Sequence, residues 1–256
     1  MNVTLPKPYV GITGLTSRQE VNDVLQAYAD AGYSMETPHT PMLGYLVDAQ
    51  SLSDPGRQPL SRRYPPFGQV ADLLRQGQGR ALQVIHYGST QPDLYAQVER
   101  FLDGFYETGL CRAIQFNIPW PAVAEVQRIK ETFPELRLIL QLSHHSVLAA
   151  AGVSVAETAS RIQAYGPSVS DVLIDPSAGR GLEFSLAGST ELALYRILCT
   201  VGSMQLGFAG GFDGDNVSAR VREIIDLTGR ADFSIDVESR VRDRLSERDG
   251  DDVLSL

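Results

Sequence analysis

What most constrains the fold of this chain is an alternation. Eight short apolar runs are each followed by a more polar segment with helical spacing, almost from end to end. The runs are Tyr9 to Thr16, Met42 to Val47, Ala81 to Gly88, Ala113 to Ile118, Arg137 to Ser143, Asp171 to Pro176, Gln205 to Gly211 and Asp232 to Val237. Helices are expected over Ser17 to Ala31, Phe67 to Gln76, Pro92 to Phe105, Ala122 to Phe133, Ala156 to Tyr165, Thr190 to Thr200, Asn216 to Leu227 and roughly Glu238 to Leu245. Parallel strands are buried on both faces and need a crossover between each pair, usually a helix. Eight such units in 256 residues predict one α/β domain, a single (β/α)8 TIM barrel covering residues 1–256. A doubly wound sheet has fewer strands and a glycine-rich first turn, whereas "GITGLT" supplies only Gly11 and Gly14 there.

Local signals agree. Ser17, with Glu20 three residues on, forms a capping box that opens a helix carrying Val21, Val24, Leu25 and Tyr28 on one face. Residues 247–256, with the acidic string "RDGDDVLSL", are expected to be a solvated tail.

Composition narrows the function class. A net charge of −9 argues against nucleic acid or an anionic membrane as partner, and leaves room for a small molecule. The longest apolar runs, such as "LRLILQL", are far short of a membrane span. The N-terminal sequence lacks the basic start and apolar stretch of a secretory signal, so a cytoplasmic protein is expected, as a monomer or homodimer. Cys111 and Cys199 have no metal-type spacing and are read as apolar residues.

In such barrels the chemistry sits at the C-terminal ends of the strands. That rule selects Thr13, Asp48, His86, Asn117, His144, His145, Asp175, Gly210, Gly211 and Asp236. Asp175 closes the run "VLID" at a partly dehydrated position, where a carboxyl serves as a general acid or sits in an ion pair. Gly179-Arg180-Gly181 after the sixth strand, and Gly210 and Gly211 after the seventh, allow close backbone approach. A helix start near Asn216 could hold a phosphate. His86, His144 and His145 could meet Asp48 or Asp236 at a metal, but no spacing demands it, and no cofactor or metal is expected. Arg57, Arg62 and Arg63 form either a solvated loop or a fork for an anionic group.

The order of these features resembles the phosphoribosylanthranilate isomerase family. "ITGLT" looks like its first-strand motif, and "GYLV" with "SRRY" like its second strand and Ser-Pro-Arg-Tyr loop. "DVLIDPSAGRGLEFSL" is similar to its sixth strand and glycine loop, and "FAGGFDGDNV" to its Ala-Gly-Gly-Leu-Asn-Pro-Glu-Asn-Val signature. "FSIDVESRVRD" resembles the eighth-strand motif Val-Asp-Val-Ser-Ser-Gly-Val-Glu. The resemblance implies a cofactor-free Amadori rearrangement, in which a phosphorylated ribosylamine opens, loses a proton from C2 and becomes an amino-ketose. Carried over by motif, Asp175 is the general acid, and Arg63 meets a substrate carboxylate. Gly179, Gly181, Gly210 and Gly211 hold phosphate, joined by Arg180 in the sixth-strand loop and by Ser239 and Arg240 after the eighth strand, and Asp236 matches the eighth-strand aspartate.

This sequence also departs from the motifs. Thr13 stands where the family has the cysteine that acts as base, and a threonine hydroxyl does not ionise without a strong base beside it. Asn117 replaces a histidine, Leu182 a lysine, and Ser239-Arg240 a Ser-Gly pair whose arginine either contacts phosphate or fills its space. With no cysteine, His86 or His144 becomes the expected base. The expected function is isomerisation of a phosphorylated sugar derivative. The alternatives are a binding barrel without turnover and a metal-dependent hydrolase.

Overall fold

Eight parallel strands close on themselves in chain order. The computed structural model describes residues 5–54, 61–143, 153–177, 186–247 and 250–256. Its barrel strands are β1 (Tyr9–Thr13), β2 (Thr40–Asp48), β3 (Leu82–Gly88), β4 (Ala113–Phe116), β5 (Arg137–Ser143), β6 (Asp171–Asp175), β7 (Gln205–Ala209) and β8 (Ser234–Val237). β8 returns to pair with β1 through Gly11 and Asp236. The intervening helices among the described residues are α1 (Arg18–Asp30), α2 (Ala49–Ser53), α3 (Phe67–Gly77), α4 (Leu94–Leu102), α5 (Val123–Thr132), α6 (Val155–Gln163), α7 (Thr190–Val201) and α8 (Val217–Thr228).

The predicted elements form for the expected reasons, with edges moved by local chemistry. β1 stops at Thr13 because Gly14 turns to φ +91°, and the N–H groups of Gly14 and Leu15 both donate to the Gly44 carbonyl at 3.0 and 3.2 Å. The capping box at Ser17 is present, and the buried face of α1 is Val21, Val24, Leu25 and Tyr28. The Tyr28 hydroxyl ties that helix to the barrel by donating to the carbonyls of Val10 and Met42.

Strand parity divides the interior into two cores. One residue from each of seven strands, among them Tyr9, Met42, Val84, Ile139 and Leu173, forms an apolar layer inside the barrel. The alternate positions, such as Leu43, Ile85, Ile114 and Phe208, pack outward against the helices. Below the inner layer, at the N-terminal end, Arg137 forks onto buried Asp171 with hydrogen bonds of 2.8 and 2.5 Å, and its guanidinium lies over the Tyr9 ring. Cys111 is buried and Cys199 half-buried, both unpaired thiols.

The end of the chain corrects two expectations. Among the described residues no α-helix follows β8; a single 3-10 turn at Ser239–Val241 leads into β9 (Arg242–Arg244), which pairs antiparallel with β10 (Asp252–Leu254). The expected helix offered only Val241 and Leu245 as an apolar face, too little to dock against the barrel. Nor is the tail simply solvated. Asp252 is 2% exposed and takes Arg63 and Arg242 at once, at 2.6 and 2.5 Å, while Arg242 also donates to the Gly14 carbonyl. Burial works to raise the Asp252 carboxyl, but the two arginines outweigh it and hold the group below the ordinary range.

Candidate active site

The parity that builds the apolar inner layer continues to the C-terminal strand ends. Two residues beyond inward Val84, Ala113, Ile139 and Leu173 come His86, Gln115, Gln141 and Asp175, which therefore point inward as well. Thr13 on β1 and Asp236 on β8 complete this polar layer, and all but Gln141 are buried.

Hydrogen bonds run through the layer in one direction. Gln115 Nε2 donates to His86 Nδ1 at 3.0 Å, which places the ring proton on Nε2, facing Thr13 Oγ1 at 3.3 Å. The Thr13 hydroxyl in turn donates to Asp236 Oδ1 at 2.7 Å. Gly44 on the neighbouring strand leaves room for this chain: a Cβ there would collide with Thr13 Oγ1 and lie 2.8 Å from His86 Nε2. On the other side of the mouth, Gln141 Nε2 donates to Asp175 Oδ2 at 2.7 Å. The backbone and hydroxyl of Ser177 both donate to Asp175 Oδ1, at 3.0 and 2.9 Å.

The electrostatics single out Asp236. Burial pushes its carboxyl up to about 7; the Thr13 hydrogen bond pulls down, and the charges of Glu238 and Asp175 push up further. Burial also raises Glu238, against the pull of Arg63. His86, 2% exposed, is lowered to about 3 by burial and stays neutral at ordinary pH.

A cavity open to solvent lies over this layer. Among the described residues Asp175, Asp236, Glu238, Gln115, Asn117 and Gln141 line it, together with Gly210, Gly211, Ser177, Ser239 and Arg240. Thr13 and His86 are not among the lining residues: they stand behind Asp236.

Several expected roles change. His86 is not placed to act as the base, because it is neutral, buried and engaged at both ring nitrogens. Three donors converge on Asp175, an acceptor that lines the cavity, while Asp236 is the carboxyl that burial raises to about 7. Arg63 is spent internally, gripping Asp252, Glu238 and the Ser239 hydroxyl. Gly210 and Gly211 do take the left-handed conformations expected of a tight loop, at φ +85° and +70°. A side chain at Gly210 would also meet Ser177 Oγ and Asp175 Oδ1. Arg240 reaches the cavity paired with Asp213. Asn117 accepts from Gln115 at 3.3 Å.

Asp48 caps α2 by accepting the Ser51 N–H, a structural task. His144, His145, Arg57, Gly179, Arg180, Gly181 and Leu182 lie outside the described residues. Among the described residues no group of three His, Cys, Asp or Glu side chains could hold a metal ion, and no helix is long and apolar enough to cross a membrane. Sequence reasoning missed Gln115, Gln141, Asp213 and Asp252. The first two carried a signal, a glutamine at an inward position of an otherwise apolar strand.

Solved structures of phosphoribosyl anthranilate isomerase share this architecture. The enzyme from Thermus thermophilus is 17% identical, with a TM-score of 0.57 over 96% of this chain and 92% of its own. That from Thermotoga maritima is also 17% identical, with a TM-score of 0.57 over 96% and 93%. A phosphoribosyl anthranilate isomerase in complex with reduced 1-(o-carboxyphenylamino)-1-deoxyribulose 5-phosphate is 16% identical, with a TM-score of 0.56 over 96% and 92%. No family model matches the sequence, and no curated protein does. This chain has the fold of those isomerases, a closed eight-stranded barrel.

Proposed function

We propose that the barrel moves a proton between adjacent carbons of a sugar-like substrate, an aldose–ketose isomerisation of the Amadori type, with Asp236 as the proton-carrying group. One observation carries the reading. A carboxyl raised to about 7 by burial, with only neutral donors to pull it back, opens onto a cavity lined by carboxylates and carboxamides. A group that exchanges protons is most useful when its pKa lies near the working pH.

In the open-chain form of the substrate, ionised Asp236 removes the proton on C2, and the electron pair forms the C1–C2 double bond. The oxygen or nitrogen on C1 takes up a proton as its own double bond opens. Asp236 then returns its proton to C1, and the hydroxyl on C2 gives up its proton as it becomes the ketone. Asp175, with its three donors, accepts a substrate hydroxyl and fixes the sugar's orientation, while Gln141 and Gln115 bracket it. That a barrel of this fold was solved with a deoxyribulose derivative supports a sugar-derived ligand. Thr13, at the position the sequence resemblance assigns to a base, supports a second reading, a barrel that binds the sugar and does not turn it over.

Incubation in D2O with a panel of aldoses, ribosylamines and phosphoribosylanthranilate separates the two. We expect protein-dependent deuterium incorporation at C1 of the ketose product and, by reversal, at C2 of recovered aldose, lost by about 10²- to 10⁴-fold in Asp236→Asn. Binding without exchange would favour the second reading, and equal exchange by wild type and variant would remove Asp236 from the mechanism.

A further inference from the structure

We infer that the cavity takes a ligand with no phosphate or carboxylate, a neutral or amine-bearing polyhydroxy compound, because two anion-recognising elements among the described residues at the mouth are already filled by the chain's own carboxylates. The inference deepens the isomerase reading and rests on it for the location of the site.

The first such element follows β7. Gly210 and Gly211 turn the chain toward the start of α8, where the N–H groups of Asp215 and Asn216 point at Asp213 Oδ1, 3.1 and 2.9 Å away. Asp213 Oδ2 receives Arg240 through Nε at 2.8 Å and through the guanidinium terminus at 2.5 Å. Backbone donors at a helix start plus a guanidinium make the donor set that would suit a bound phosphate. Here a tethered carboxylate occupies it, and an external anion must displace a group that never diffuses away. Burial works against that carboxylate's charge, yet the hydrogen bonds of Asn216 and Arg240 hold it below the ordinary range.

The second element is Arg63. Its fork closes on Asp252 with bonds of 3.0 and 2.6 Å, and its remaining terminus serves Glu238 and the Ser239 hydroxyl, both at 3.0 Å. The C-terminal hairpin thereby brings a carboxylate to a guanidinium that would otherwise suit an incoming one.

What then faces a ligand is acidic and hydrogen-accepting. Asp175, Asp236 and Glu238 line the cavity, and Arg240, the one cation among its described lining residues, is ion-paired. An anion brought there meets like charge. A hydroxyl or ammonium group meets acceptors. One of these lacks a donor: Gln115 Oε1, on a residue 1% exposed that lines the cavity, has no hydrogen-bond partner among the described residues. A buried carbonyl oxygen left unpaired is costly, and a hydroxyl or amine of the ligand would satisfy it.

Thermal shift and calorimetry on the full chain test this with inorganic phosphate, D-ribose, D-glucosamine and D-ribose 5-phosphate, since a ligand of the folded state raises its Tm. The wild type should respond to ribose or glucosamine and not to millimolar phosphate, and should bind ribose no more weakly than ribose 5-phosphate. Asp213→Ala should gain phosphate affinity by about tenfold or more, the worth of one charge-assisted contact. Asp213→Asn, which keeps an acceptor at the helix start, guards against a folding defect and should gain less. Any other pattern overturns the inference: a wild type whose Tm rises with phosphate, variants that gain nothing, or tighter binding of the phosphorylated sugar. None of these readouts needs turnover. A phosphate-binding wild type that exchanges the C2 proton overturns this inference alone, while the expected binding without exchange overturns the isomerase reading alone.

Discussion

Two aspartates point into the same barrel from opposite ends, and their partners differ. Asp171, near the N-terminal end of β6, is 2% exposed and is met by both arms of the Arg137 fork. Asp236, near the C-terminal end of β8, is 6% exposed and is met by the Thr13 hydroxyl, with neutral His86 3.9 Å away. Burial raises both carboxyls; at Asp171 the guanidinium pulls back, whereas at Asp236 only a hydroxyl and an amide do. A buried carboxylate matched by a full opposite charge is part of the scaffold. One matched only by neutral donors keeps a proton that it can give up near neutrality.

The sharpest way to break this contrast is at the scaffold end. Arg137→Met should lower the unfolding free energy by about 3–5 kcal/mol, because it strands Asp171 in the interior without a partner. Arg137→Met combined with Asp171→Leu should recover most of that loss, since removing both charges leaves nothing buried and unpaired. Urea denaturation of the three chains checks both. A single variant as stable as wild type would mean that Asp171 simply holds a proton, and the two ends would then be alike.

The pH dependence of stability sharpens the contrast with a smaller effect. Folded Asp236 keeps its proton up to about pH 7, whereas an unfolded aspartate loses it near pH 4. Between those values the folded chain binds more protons, so this group costs stability as pH rises. Asp236→Asn cannot ionise and should be more stable than wild type by about 1–3 kcal/mol at pH 8, the gap closing toward pH 4. His86 acts in the opposite sense. Its unfolded imidazole takes a proton below about 6.5, which the folded ring refuses down to about 3, so stability falls as pH drops through that range. The two slopes offset between about pH 4 and 6.5, and Asp236→Asn should lose stability with acid more steeply than wild type does. A pH-independent gap between the chains would show that Asp236 is ionised throughout.

Much of the scaffold was legible in the sequence because strands buried on both faces and helices with one apolar stripe leave different periodicities. The mouth was legible as a set of positions: Thr13, His86, Asp175 and Asp236 all close apolar runs. Their roles were not, because each depends on a partner from another strand. Whether His86 or Asp236 carries a mobile proton turns on Gln115 and Thr13, 29 and 73 residues from the imidazole in sequence. The tail misled for the same reason. Asp252 reads as one more solvated acid until Arg63, 189 residues away, is placed against it.

Thr13 is where the contrast can be tuned most finely. Its hydroxyl is the donor that keeps Asp236 from rising further, and it also accepts from the histidine behind. Thr13→Val keeps the shape and removes both bonds. The Asp236 carboxyl should then rise by about one unit, the worth of a hydrogen bond to a charged acceptor. In a pH profile of C2 exchange the acidic limb should move up by that unit, so the rate at pH 6 falls about tenfold while the rate at pH 9 is unchanged. Thr13→Ser, which restores the donor, should return the limb. Thr13→Cys offers a weaker donor and should fall between the two, unless its own thiolate takes the proton, which would show as a new limb near pH 8.5. An unmoved limb in Thr13→Val would reduce Thr13 to packing, and would leave burial as the whole reason that the Asp236 carboxyl is raised to about 7.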